Sequence, residues 1–329
     1  MEQKNTWETY NEKQLQALDE LACEYRNFLD EGKTERECVD AIVNAAEQKG
    51  YRDLNTLIRE GKSLKKGDKV YSVCMNKSVA MFRIGERPMS EGMNILGAHI
   101  DSPRLDIKQK PFYEDGGFAY LDTHYYGGVK KYQWVAIPLA LHGVIVKKDG
   151  TTVEVNVGEN EDDPVFFVSD LLIHLAQEQL EKKASKVIEG EALDIIVGNK
   201  PFIFGKEEEE KPESDKKKKK KGAKEAVKKG ILEILKNTYD VEEEDFLSAE
   251  LEVVPAGKAR EAGFDRSMIL AYGQDDRVCA FTSLKAMLDV EETQRTACCL
   301  LVDKEEVGSV GATGMQSRFF ENAVAEVMN

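Results

Sequence analysis

Six consecutive residues, Ala297-Cys298-Cys299-Leu300-Leu301-Val302, carry no polar side chain. A strand with one face in water alternates apolar and polar residues, because its side chains point to opposite faces in turn. An uninterrupted short apolar run is the pattern of a strand buried on both faces. That burial is typical of an α/β sheet with helices packed on each side. The run stops at Asp303-Lys304-Glu305-Glu306-Val307-Gly308. A second stretch, Ile95-Leu96-Gly97-Ala98, stops at His99-Ile100-Asp101-Ser102-Pro103. A third, Ser267-Met268-Ile269-Leu270-Ala271-Tyr272, leads into Gly273-Gln274-Asp275-Asp276-Arg277.

The rest of the chain fits this frame. Leu15, Leu18, Leu21, Ala22, Tyr25 and Leu29 recur at helical spacing within residues 7–60. Cys38, Ala41, Ile42, Ala45 and Ala46 form a second helical pattern, with Thr34 as its N-cap and Gly50 as its stop. Val70–Cys74 and Val79–Ile84, divided by Asn76-Lys77, read as a hairpin. Residues 278–289 and 317–328 have helical spacing. Strand and helix therefore alternate, as in the α/β class. Residues 107–255 differ. They hold strand-like runs at Val144–Val146 and Thr152–Val157, Gly-Gly pairs at 116–117 and 127–128, and aromatics at Tyr125, Tyr126, Tyr132 and Trp134. A helix is expected after Ser169, with Leu171, Leu172, Leu175 and Leu180 on its apolar side, and another around Ile231–Leu235. Glu207–Glu210 and Lys216–Lys221 are opposite-sign charge blocks, expected in a solvated, mobile loop near 206–224. The expected organisation is an α/β domain, a mixed, largely parallel sheet flanked by helices, begun by residues 1–106 and resumed by 256–329. A β-rich domain, 107–255, is inserted between the two parts.

The chain has 329 residues and a formal net charge of −15, which argues against a nucleic-acid binder. Its six cysteines, Cys23, Cys38, Cys74, Cys279, Cys298 and Cys299, show no C-x-x-C spacing, and most lie among apolar neighbours. Reduced thiols in a cytoplasmic protein are expected. The stretch MEQKNTWETYNEKQ lacks the apolar core expected of a secretory signal, and no apolar run approaches the length of a membrane span.

The chemistry gathers at the expected strand ends. Residues i and i+2 of a strand share a face, so His99 and Asp101 point the same way. An Asp beside a ligating His commonly accepts its second N–H. Alone, this pair favours the plainer reading, a strand followed by a polar turn at Ser102-Pro103. Asp275-Asp276 and Glu305-Glu306 add two acidic pairs at two further strand ends, all expected on one rim of one sheet. Clustered carboxylates need a cation or protons to offset their repulsion. One imidazole with oxygen ligands suits Zn²⁺, and Mn²⁺ or Co²⁺ also fit. Within a Glu pair, one carboxylate can bind metal while the other takes a proton from water. Gly308–Gly314 lacks the Lys-Ser/Thr ending of a phosphate loop and reads as a loop near this site.

Gly97–Asp106 (GAHIDSPRLD), Gly273–Arg277 (GQDDR) and Asp303–Gly311 (DKEEVGSVG) resemble the three metal-site motifs of the aspartyl aminopeptidase family, which are dinuclear zinc exopeptidases. The resemblance extends along nearly all of the chain. It implies that His99 binds one metal and Asp101 orients it. Asp275 bridges two metals and is joined to Asp276 by a cis peptide. Glu306 binds the second metal, and Glu305 is the general base and acid. It implies an insertion that serves dimerisation and larger homo-oligomers, and peptide substrates cut at the N-terminal residue, acidic ones by the family's name. It also implies a histidine from a neighbouring subunit's insertion that helps hold the transition state. His124 is the candidate here, while His174 and His142 read as structural.

The resemblance implies two more metal ligands beyond Glu306, an Asp and a final His. No matching residue follows Glu306. The expectation is a truncated chain in which each metal lacks one protein ligand and the sheet exposes an apolar edge. Two other outcomes stand beside the aminopeptidase. One is an inactive remnant acting only as an oligomerising module. The other is a dinuclear hydrolase of a non-peptide amide.

Overall fold

The structure is a computed structural model that describes residues 5–201 and 225–329. Both charge blocks, Glu207–Glu210 and Lys216–Lys221, lie outside the described residues. The chain begins with α1 (Glu12–Glu31), α2 (Glu35–Gln48), β1 (Arg52–Asp53), α3 (Leu54–Arg59), β2 (Lys69–Cys74), β3 (Ser78–Arg83) and β4 (Asn94–His99). It continues through β5 (Arg104–Asp115), β6 (Phe118–Tyr126), β7 (Leu139–Val146), β8 (Thr152–Val157), α4 (Gln177–Leu180), β9 (Ile195–Gly198), α5 (Ala226–Tyr239) and β10 (Ala249–Pro255). It ends with β11 (Arg260–Ala262), β12 (Met268–Leu270), α6 (Gln274–Asp289), β13 (Ala297–Val302) and α7 (Phe319–Met328). Two compact units result, Met1–Pro103 with Gly257–Asn329, and Arg104–Ala256.

The first unit is a mixed α/β layer built on a sheet of order β1-β2-β3-β13-β4. Its helices start where their caps dictate. Thr34 accepts the Glu37 N–H, and the Glu37 carboxylate takes the Thr34 N–H in return. Asn11 and Gln14 do the same for α1. β1–β2 and β13–β4 are parallel, while β2–β3 and β3–β13 are antiparallel. Parallel pairing does not predominate, because the β2–β3 hairpin reverses the chain through left-handed Met75 and Asn76.

The apolar run forms β13 and is buried on both faces. Cys299 and Leu301 pack with Val39, Ile42, Phe281 and Leu284. Cys298 and Leu300 pack with Leu54, Leu57, Ala323 and Val327. Burying a Leu side chain contributes roughly 1.5–3 kcal/mol. β4 lies at the edge and differs. Ala98 and Ile100 join the first cluster, but Ile95 and Leu96 are 51% and 41% exposed.

One expected strand is misplaced. The 267–272 run yields only β12, which pairs with β11 in a separate two-stranded ribbon. Asp275 therefore does not sit at the end of a strand of the main sheet. Gly273, in the left-handed region at φ 76, turns the chain directly into α6 instead.

The second unit is a six-stranded sheet of order β8-β7-β10-β5-β6-β9, antiparallel throughout. Trp134 and Tyr126 are buried, and the Arg104 guanidinium lies 3.9 Å over the Tyr126 ring. The helix expected after Ser169 is not formed. Residues 173–175 make one 3₁₀ turn, α4 is four residues long, and Leu171, Leu172, Ile173, Leu175 and Leu180 are exposed. Leucine spacing alone suggested a helix, but no apolar layer of this unit covers that face, so helix formation loses its usual tertiary support. His174, expected in a core, is exposed with them. No helix among the described residues is long and apolar enough to cross a membrane.

Candidate metal centre

The site starts from the parallel β4–β13 pair. Val302 lies opposite His99, and the Ile100 N–H donates to the Val302 carbonyl at 2.9 Å. The two strands thus end at the same level. Beyond Val302 the chain turns at Lys304, whose φ of 71 is left-handed, into a 3₁₀ turn over Glu305–Val307. Asp303 holds this turn in place. Its carboxylate accepts the Thr313 hydroxyl at 2.6 Å and the Lys304 N–H at 2.7 Å, and its own N–H donates to the Ser78 hydroxyl at 3.0 Å. Burial, with Glu35 nearby, pushes the Asp303 carboxyl above its usual pKa.

Asp101 is fully buried and joins the two strand ends. One of its carboxylate oxygens accepts the Glu305 N–H and the other the Glu306 N–H, each at 3.2 Å. The Asp101 carbonyl lies 3.0 Å from His99 Nδ1, and its carboxylate lies 3.4 Å from the same nitrogen. These contacts hold a proton on Nδ1, so Nε2 is the nitrogen at which a metal ion would replace the second proton. Burial opposes a charge on His99, but the Asp101 side chain and carbonyl, with Glu305, outweigh it and raise the pKa to about 9.

His99 Nε2 lies 3.5 Å from the Asp275 carboxylate and 3.6 Å from that of Glu305. Asp275 reaches this point from the start of α6, where the backbone of Asp275 and Asp276 is non-helical, their peptide is cis and Ser102 Oγ donates to the Asp275 carbonyl at 3.1 Å. Zn–N and Zn–O bonds of about 2.0–2.2 Å in a tetrahedron put two ligand atoms about 3.4 Å apart. An imidazole nitrogen with a carboxylate at 3.5 Å fits one shared ion. The donors meet pairwise at His99. Among the described residues, no three donors of this set lie within 4.8 Å of one another. Glu306 is half-buried, with its amide fixed by Asp101.

His124 lies elsewhere, on β6 of the second unit. Its Nδ1 is 3.2 Å from Glu191, and its ring stacks on Tyr125 at 5.0 Å. His142 is fully buried against Glu159 at 3.1 Å. The supporting roles of Asp303 and Ser102 were not anticipated from the sequence. A hydrogen-bonding residue at each strand end was the available signal, but polar residues are ordinary there.

A family model described as aminopeptidase I zinc metalloprotease (M18) matches residues 28–329. The chain belongs to the M18 aminopeptidase family. A probable M18 family aminopeptidase 1 of Clostridium acetobutylicum is 57% identical over 328 residues, covering 100% of this chain and 67% of the relative. The crystal structure of an M18 aminopeptidase from Thermotoga maritima matches with a TM-score of 0.87 at 41% identity, covering 100% of this chain and 67% of that one. The crystal structure of aminopeptidase I from Clostridium acetobutylicum matches with a TM-score of 0.84 at 54% identity, covering 99% and 68%. The chain thus spans about two thirds of the length of these M18 relatives. Membership makes this a metalloaminopeptidase by family, of the mixed α/β fold its relatives share.

Proposed function

We propose that this M18 chain removes N-terminal residues from peptides at a two-metal centre built on His99, Asp275 and Glu306. The observation that carries the reading is His99 itself. Its Nδ1 is fixed by Asp101, and its Nε2 faces the Asp275 carboxylate at ligand-to-ligand spacing, with the Glu305 carboxylate 3.6 Å away. Zn²⁺ bound here supplies Lewis acidity toward a peptide carbonyl and makes water more acidic. Asp275 is exposed at the start of α6, beside half-buried Asp276, and its carboxylate would be a ligand offered to the metal. Glu305 takes the proton of the attacking water and returns it to the leaving amine. Its half-exposed side chain and Asp101-held amide suit it to that task.

The second unit is the self-association module of this reading. Leu171, Leu172, Ile173, Leu175 and Leu180 offer apolar surface to a second copy. His124, exposed in a surface pair with Glu191, is the candidate for delivery to a neighbour's centre, and exposed His174 among the leucines is a second one. All six cysteines are free, which suits a reducing cytoplasm.

The test is zinc content together with hydrolysis of Asp-, Glu- and Leu-aminoacyl substrates by wild type, His99→Ala and Glu305→Gln. Zinc lost in His99→Ala, and turnover lost in Glu305→Gln with zinc retained, is the expected result. A wild-type chain without zinc and without Glu305-dependent turnover would support the interaction-module reading instead. Faster release of Asp and Glu than of Leu would establish the acidic preference. A fall in kcat with zinc retained, in His124→Ala or in His174→Ala, identifies the delivered residue.

A further inference from the structure

Arg277 is fully buried two residues after Asp275, in the first turn of α6. Its Nε donates to the Ile100 carbonyl at 3.1 Å, and its Nη2 donates to the Lys33 carbonyl at 2.9 Å. The guanidinium centre lies 5.4 Å from the Tyr272 ring. Ile100 is the residue between His99 and Asp101. Its side chain points into the core while theirs point to the centre, so whatever holds its carbonyl sets the aim of both neighbours. One side chain therefore ties the β4 end to the helix that presents Asp275.

We infer that Arg277 is a positioning residue for the metal centre, registering the His99–Asp101 strand end against Asp275. The inference rests on the reading of His99 and Asp275 as metal-binding residues. Core filling alone does not explain an arginine here. Burying a guanidinium carries a desolvation penalty that an apolar residue of like volume avoids. What the arginine adds is direction, because its donors lie in one rigid plane and reach two carbonyls at once. A lysine has one nitrogen on a flexible stem and cannot reproduce both bonds in that plane. The neighbouring backbone is cut to fit it. A Cβ on Gly273 would meet Arg277 Nη1 and lie only 2.9 Å from its Cζ, so a glycine is needed there for space as well as for its positive φ. Ser102 Oγ, bonded to the Asp275 carbonyl, makes a second tie between the same two segments.

The test uses the full chain, stripped with chelator and titrated with Zn²⁺ by calorimetry, with thermal unfolding recorded on each sample. Wild type and His99→Ala set the scale. Wild type that takes no Zn²⁺, or His99→Ala that takes it equally well, overturns the metal-centre reading and this inference with it. Given that scale, Arg277→Lys is expected to weaken Zn²⁺ binding about tenfold to a hundredfold, the usual effect of removing a group that orients a ligand. Leu284→Ala is the structural control, since Leu284 lies on α6 about 10 Å along the axis from Arg277. It is expected to lower Tm at least as much while leaving Zn²⁺ affinity within about twofold. Unchanged affinity in Arg277→Lys, or an equal loss in Leu284→Ala, overturns the positioning role alone. If Arg277→Lys does not fold, Gly273→Ala displaces the guanidinium without removing it. Weakened Zn²⁺ binding in that variant supports the role, and wild-type affinity overturns it.

Discussion

Strands β13 and β4 lie side by side and parallel, and both end at the candidate centre, yet they reach it by opposite routes. β13 is enclosed along most of its length and releases Glu305 and Glu306 into an exposed turn. β4 is open along its first four residues and encloses its functional end, His99. Burial fixes β13 before the site begins. β4 has little such support, and its end is held by point contacts from Asp101, Ser102 and Arg277. Precision at a strand end can come from a packed strand or from hydrogen bonds placed at its terminus. This unit uses one of each, and each can be broken separately.

The largest contrast is expected in thiol chemistry. Burial pushes the Cys298 and Cys299 thiols up to about 12, and they point to opposite faces of β13. At pH 8 a thiol of pKa 12 is about 10⁻⁴ ionised, against about a quarter for an ordinary exposed one, and the thiolate is the species that alkylates. Iodoacetamide is expected to label both at least about a thousandfold more slowly in native than in denatured chain. Mass spectrometry of timed samples measures this. Native labelling at the denatured rate would mean that β13 is not enclosed.

Next in size is the cost of truncating each strand. Leu301→Ala, at a fully buried position, is expected to destabilise by about 2–5 kcal/mol in urea unfolding. Leu96→Ala removes a side chain already 41% exposed and is expected to cost less than about 1 kcal/mol. Equal losses would show that β4 is covered as β13 is.

These two strands also show what the sequence carried. Ala297–Val302 was legible to the residue, because an unbroken apolar run has few other outcomes. The 70–84 hairpin and the helices at 278–289 and 317–328 were legible from period and turn residues. Ile95-Leu96 looked like the same kind of buried strand and is exposed, because periodicity reports what a residue prefers and not whether a neighbour covers it. The leucines at 171–180 misled for the same reason. Residues 267–272 looked like a sheet strand, but pairing partners are chosen across the fold. The candidate site was legible as residue types at chain breaks. Its contacts were not, because the link from Asp101 to the Glu305 and Glu306 amides spans more than two hundred residues.

A third test addresses the point contacts. Both Asp101 oxygens accept a backbone N–H from the Glu pair. Asp101→Asn keeps the shape but turns one acceptor into a donor facing a donor, leaving a buried group unpaired. Zn²⁺ affinity is expected to fall about tenfold to a hundredfold while the secondary structure by circular dichroism stays the same. Wild-type affinity in this variant would mean that the packed strand alone holds the turn.

The smallest effect is expected where β4 is open. Ile95 faces solvent over half of its surface, so Ile95→Lys removes little burial, and the stability change is expected within about 0.5 kcal/mol. A lysine on an edge strand also discourages pairing with another chain, so light scattering at high protein concentration is expected to fall. Zn²⁺ affinity is expected to be unchanged, because His99 is held by contacts at the strand's end and not by its beginning. A loss above about 1 kcal/mol would place a covering layer on Ile95 in solution. A loss of Zn²⁺ affinity without destabilisation would be more telling. It would mean that displacement at the start of β4 reaches His99 despite Asp101 and Arg277, and that the two routes to the centre are not separate.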